Sequence, residues 1–76
     1  MIEVRDHIEA KPAVMLGKPV IKGTRITVEL LLRKLADGYE ASEITQMYPH
    51  IKLNDIFAAI SYAALVIESE EVIKAA

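Results

Sequence analysis

Residues 27–49 read TVELLLRKLADGYEASEITQMYP, and their punctuation decides the fold. Thr27 is a good helix N-cap, Glu29 suits the positive end of a helix dipole, and Val28, Leu31, Leu32 and Leu35 recur at helical spacing. Arg33 and Lys34 fall near the negative end, and Gly38 supplies the left-handed residue that closes a helix. The pattern predicts a first helix over about Thr27 to Asp37. Ser42 is the expected cap of a second, short helix, with Ile44, Met47 and Tyr48 as its apolar stripe and Pro49 as its stop.

Downstream, the sequence predicts a third helix from Leu53 to about Ser69. Between Ile56 and Ile67 only Ser61 and the Tyr62 hydroxyl are polar. At about 100° per residue, Ile56, Ala59, Ile60, Ala63, Val66 and Ile67 share one wide face, the expected core side. Ala58, Tyr62 and Leu65 fall opposite and are expected to form a homodimer interface, because three helices cannot wrap a helix that is apolar all round. Upstream, Pro12, Gly17, Pro19 and Gly23 interrupt any helix, so residues 1–4, 14–16 and 20–21 read as short extended segments joined by turns. The expected fold class is mainly α. It is a three-helix bundle of helix-turn-helix type with a short N-terminal β element, in one domain: 1–26 extended, 27–69 helical, 70–76 a tail.

The chain has 76 residues, 53% of them apolar, enough for one core and too apolar for a disordered segment. It contains no cysteine, so neither a disulfide nor a thiolate-bound metal is expected to stabilise it. The N-terminus alternates apolar and charged residues and lacks a signal-peptide core. The most apolar run, Ile56 to Ile67, has 12 residues where a bilayer span needs about 20. The expectation is a soluble, cytoplasmic protein. Net charge is −2, which argues against bulk electrostatic coating of nucleic acid. The charge is uneven: residues 1–34 carry seven basic and four acidic side chains, and residues 35–76 carry two and seven. The basic cluster of the first half reads either as a solvated face or as an anion-binding surface.

Catalytic constellations are not evident. Residues 17–26, GKPVIKGTRI, resemble a phosphate-binding loop only superficially: five residues separate the glycines, and no lysine follows the second. Arg25 beside a glycine turn suits either a carboxylate or phosphate partner or a structural role on backbone carbonyls. His7 and His50 have no second ligand at helical spacing, so no metal is expected. Asp6, Asp37 and Asp55 have no evident cleft to shelter them as catalytic carboxylates. The chain is not expected to be an enzyme or to hold a cofactor. The helix in the recognition position offers Ala58, Ser61, Tyr62 and Leu65 outward on this reading, and none of these reads base edges.

The string GKPVIKGTRITVE at 17–29, with GYEASEI at 38–44, YP at 48–49 and DIFAAISYA at 55–63, resembles a small prokaryotic family, domain of unknown function 433. That family is regarded as the VapB-like antitoxin half of toxin–antitoxin pairs, with PIN-like ribonuclease toxins as partners. The resemblance implies a homeodomain-like three-helix bundle and a protein–protein function, with operator DNA as an additional ligand class. On that reading the basic stretch Lys18, Lys22 and Arg25, with Thr24, best complements a nuclease's carboxylates and is the expected partner-binding surface, and Gly17, Pro19, Gly23, Gly38 and Pro49 are the expected structural motif residues. Three positions depart from the family pattern: Leu16 stands where a small residue is usual, Lys11 where an acidic one is, and Lys52 where a threonine often caps the third helix. A stand-alone DNA-binding regulator and a structural dimerisation module are the alternatives from other classes.

Overall fold

The computed structural model describes residues 2–69. Two short strands, β1 (Ile8–Glu9) and β2 (Val20–Ile21), pair antiparallel with Ile8 opposite Ile21 and Glu9 opposite Val20. Three helices follow: α1 (Val28–Ala36), α2 (Ala41–Met47) and α3 (Leu53–Ser69). The molecule is therefore mainly helical with a two-stranded sheet at its N-terminal end. Of the extended segments expected at 1–4 and 14–16, Glu3 and Val14 are extended, but each leads directly into a tight turn, at Val4–Asp6 and Met15–Gly17. Residue 1 and the expected tail at 70–76 lie outside the described residues.

Local signals set the helix ends. The Thr27 hydroxyl accepts from the Leu30 amide at 3.0 Å, as an N-cap should. Past the other end of α1, Gly38 has φ +99°, its amide bonds Leu35 O at 3.0 Å, and the Tyr39 amide bonds Lys34 O at 3.1 Å. These two bonds make the paired closure that a left-handed glycine permits. Helix α2 begins one residue earlier than expected. Glu40 holds its cap position and Ser42 does not, because the Glu43 carboxylate reaches back to the Glu40 amide at 2.7 Å. Pro49 then confines Tyr48 to a non-helical conformation and the helix stops.

Helix α3 packs on α1, on α2 and on the Val4–Asp6 turn. Its first turn is held by Asp55, whose Oδ2 accepts the Lys52 amide at 2.9 Å while Oδ1 lies 2.8 Å from His7 Nδ1. The core gathers Ile8 and Ile21 from the sheet, Val28 and Leu31 from α1, Ile44 from α2, Ile51 from the linker, and Ile56, Ala58 and Ala59 from α3.

The orientation of α3 corrects the expected one. Ala58 is fully buried and Tyr62 packs against the core, so neither belongs to a free outward face; only Leu65 is exposed as expected. Conversely Ile60, Val66 and Ile67, expected inside, are exposed. The buried stripe centres on Ala59 because two small side chains, Ala58 and Ala59, let the α3 backbone approach α1 and α2 closely. An alternation of apolar residues on every side of the helix carries no periodic signal that could have set this rotation. Beyond Ala63 the helix outruns the bundle, and residues 64–69 are exposed.

Ala58→Leu places three extra carbons in a filled space and is expected to destabilise by about 1–3 kcal/mol in denaturant titrations. A neutral result would return Ala58 to the surface.

Candidate functional site

The turn between β2 and α1 is the most heavily tied loop of the molecule. The Lys22 amide bonds His7 O at 2.7 Å, the Thr24 amide bonds Ile21 O at 2.9 Å, and the Ile21 amide bonds Ile26 O at 2.9 Å. The Thr24 hydroxyl donates to Ile21 O at 2.8 Å and accepts from the Ile26 amide at 2.9 Å. Gly23 adopts φ +79°, and its amide reaches Glu9 Oε2 at 3.2 Å. A side chain at position 23 would strain that conformation. Thr24, expected among the partner-binding residues, is thus spent within the turn. Its hydroxyl is what shapes the loop.

This rigid turn displays Lys22 and Arg25 in solvent. Among the described residues neither makes an ion pair or a side-chain hydrogen bond. The structural role weighed for Arg25, bonding backbone carbonyls, is not seen. Beside Arg25 lies a pocket of about 270 Å³, lined by Ile26 from the same turn and by Met47, Tyr48, Pro49 and His50 from the end of α2. The fold thereby brings the G-T-R-I and Y-P segments, 23 residues apart at Arg25 and Tyr48, onto one site. Sequence reasoning missed the walls of this pocket, since no spacing rule links a turn to a helix stop.

Lys18 does not join this site. Its ammonium lies 3.4 Å from Glu29 Oε1, and Arg33 Nε approaches the other carboxylate oxygen at 3.4 Å. Pro19 and Gly17 frame it: Pro19 O accepts the Val28 amide at 3.0 Å, and Gly17 has φ +83° at the end of a left-handed turn. Glu29 and Arg33 in turn rim a second, larger groove of about 490 Å³ between α1 and the projecting half of α3, floored by Val28, Leu32, Tyr62, Ala63 and Val66.

Among the described residues no group of three or more histidine, cysteine or acidic side chains stands close enough to hold a metal. Asp55 and His7 satisfy each other, and among the described residues no buried side-chain polar atom lacks a partner. No helix among the described residues is long and apolar enough to cross a membrane.

The sequence profile of the family described as "Protein of unknown function (DUF433)" matches residues 8–63, from β1 through the buried part of α3. The chain belongs to the DUF433 family. No curated protein and no solved structure matches it. The matched span contains the Lys22–Ile26 turn, its pocket and the Lys18–Glu29–Arg33 cluster.

The Lys18 ammonium, as hydrogen-bond donor and as nearby charge, and then the Arg33 guanidinium hold the Glu29 carboxyl below its ordinary value. A depressed carboxylate stabilises the fold above its unfolded-state pKa, and the benefit is lost as pH falls through the lowered, folded value. The group is exposed, so salt screens the effect. In an NMR titration Glu29 is expected to titrate below the ordinary value of a glutamate. Lys18→Ala should move it back up by more than Arg33→Ala does, and molar salt should erase the difference.

Proposed function

We propose that this DUF433 protein is an antitoxin-like module of the cytoplasm that neutralises a PIN-like ribonuclease by binding it through the Lys22–Ile26 turn. In this reading the three helices are a homeodomain-like scaffold, and the protein has no catalytic activity of its own. One observation carries the proposal: two cations without partners among the described residues stand on a turn fixed by six hydrogen bonds, next to an apolar pocket.

The chemistry is complementary. A metal-dependent nuclease gathers carboxylates, and its emptied site is a concentrated negative charge. The planar fork of Arg25 can pair with a carboxylate through two parallel bonds, displacing metal or RNA. The neighbouring pocket offers a dry seat for one apolar side chain of the partner, the arrangement that makes a charged contact strong. Because the turn is already rigid, little ordering entropy is lost on binding. Lys22 adds long-range attraction and so mainly raises the association rate.

Operator binding is a weaker second reading. Helix α3, in the recognition position, exposes Leu53, Phe57, Ile60 and Ile67, where base reading needs Arg, Asn, Gln or Lys. Any nucleic-acid contact would fall to Lys22 and Arg25 on phosphates, which confers little sequence preference.

The test pairs the protein with a PIN-like ribonuclease encoded beside it. The wild-type chain should inhibit RNA cleavage stoichiometrically. Arg25→Ala should weaken the complex by about 2–5 kcal/mol through faster dissociation. Its melting temperature should stay within a degree or two of the parent, because the side chain holds nothing within the fold. Lys22→Ala should lower chiefly the salt-sensitive association rate. An Arg25→Ala protein that still inhibits fully would reject the mechanism. Loss of DNA affinity in both variants, by about one unit of salt slope per phosphate contact, would favour the operator reading.

A further inference from the structure

Leu53, Phe57, Ile60, Ala64 and Ile67 are spaced four, three, four and three residues apart along α3. All five are exposed: Leu53 by 47%, Phe57 by 46%, Ile60 by 44% and Ile67 by 62%, with Ala64 also on the surface. A repeat of this kind averages 3.5 residues, the period at which a second helix can follow a seam along its length. The opposite side of the helix is the one carrying Asp55, Ala59 and Tyr62, which face the bundle. From Leu53 to Ala64 the seam therefore points away from the core, and Ile67, past the end of the bundle, also lines the groove against α1. From Leu53 to Ile67 its edge residues are Asn54 and Ser61, and it bears no charge.

We propose that α3 pairs antiparallel with α3 of a second copy of this chain, about a two-fold axis at Ile60. Two features on the helix select that partner and that direction. First, size: Phe57 stands three residues before the axis and Ala64 four after it, so the antiparallel pair sets the large ring of each copy against the small side chain of the other. A parallel pair would stack Phe57 on Phe57 and leave a void between two alanines. Second, Leu53 and Ile67 lie seven residues either side of the axis and meet each other at both ends.

The area suits a modest affinity. The exposed parts of Leu53, Phe57, Ile60 and Ile67 amount to on the order of 400 Å², at the scale where an apolar patch on a monomer marks an interface. With flanking residues on a helix about 25 Å long, the contact approaches the small end of specific interfaces, and a micromolar dissociation constant follows. The inference stands apart from the ribonuclease reading, since it uses none of the residues of the Arg25 site.

The full chain in solution decides it. Sedimentation equilibrium should show a reversible dimer, twice the 8.4 kDa of the chain, in the micromolar range. Ile60→Asp sets two carboxylates on the axis and should raise the dissociation constant by about 30-fold or more. Because the chain lacks cysteine, direction can be read by cross-linking. Leu53→Cys and Ile67→Cys proteins, mixed and oxidised, should join to each other and not to themselves. A wild-type protein that stays monomeric at 100-fold above micromolar concentration overturns the proposal and leaves the seam to a different partner. So does a dimer indifferent to Ile60→Asp, while self-linked Leu53→Cys overturns the antiparallel direction. If Ile60→Asp fails to fold, the cysteine pairing still gives the answer.

Discussion

The carboxylate of Asp55 connects more of this molecule than any other side chain. One oxygen accepts the Lys52 amide and so starts α3; the other lies 2.8 Å from His7 Nδ1, within hydrogen-bond distance. His7 carries the connection onward, since its backbone oxygen accepts the Lys22 amide. In a single chain of contacts, the first turn of α3 holds the N-terminal segment, and that segment holds the turn on which Arg25 stands. A chain of 76 residues has few apolar contacts with which to fix a loop, so polar links that span 48 positions matter in proportion. Both partners are part-buried, where such a bond is stronger than at the surface and a lost partner is costlier.

The same carboxylate explains how α3 starts without a hydroxyl cap at position 52. Threonine there would cap α3 with its own hydroxyl. Lysine cannot, but Asp55 three residues on satisfies the position-52 amide, which is half of a reciprocal cap. Leu16 has no such support. It has φ +58°, follows Met15 at φ +49° and is 93% exposed, so it is held in a left-handed conformation without burial to offset it. Glycine, which lacks Cβ, would relieve strain of roughly 1 kcal/mol at that point.

How far the fold was legible follows from where its signals are local. Caps, proline stops and glycine closures act within four residues, so the three helices, the left-handed Gly23 and Gly38 and the α1 boundaries could be read directly from the chain. The β pairing could not, because strands of two residues have no periodicity and the register of Ile8 on Ile21 depends on an intervening loop. Nor could the cap of α2, where an acidic residue three positions after Glu40 competed successfully with the hydroxyl of Ser42. Of the site, Arg25 and the glycine turn were visible as residue types in sequence. The separation of Lys18 from them was not, because the sequence shows Glu29 as the one acid opposing the basic cluster but not which of its cations it pairs with.

Helix α3 shows why a composition rich in apolar residues misleads about orientation. In an ordinary amphipathic helix the bulky apolar side chains face inward and fill the core. Here the inward stripe is built around Ala58, Ala59 and Ala63, with Ile56 as its one large aliphatic residue, while Leu53, Phe57, Ile60 and Ile67 face water. Small inward residues draw the helix axis close to α1 and α2, which is how so short a chain reaches close packing with few methylenes. The large outward residues cover only part of their surface within the fold and leave the rest, 44–62% of each, to water that disfavours it. A helix with two apolar faces of different kinds, one of alanines set against neighbours that are present and one of larger side chains at a 3.5-residue period, is built for two contacts. The first of them is the bundle; the spacing of the second is what a neighbouring helix requires.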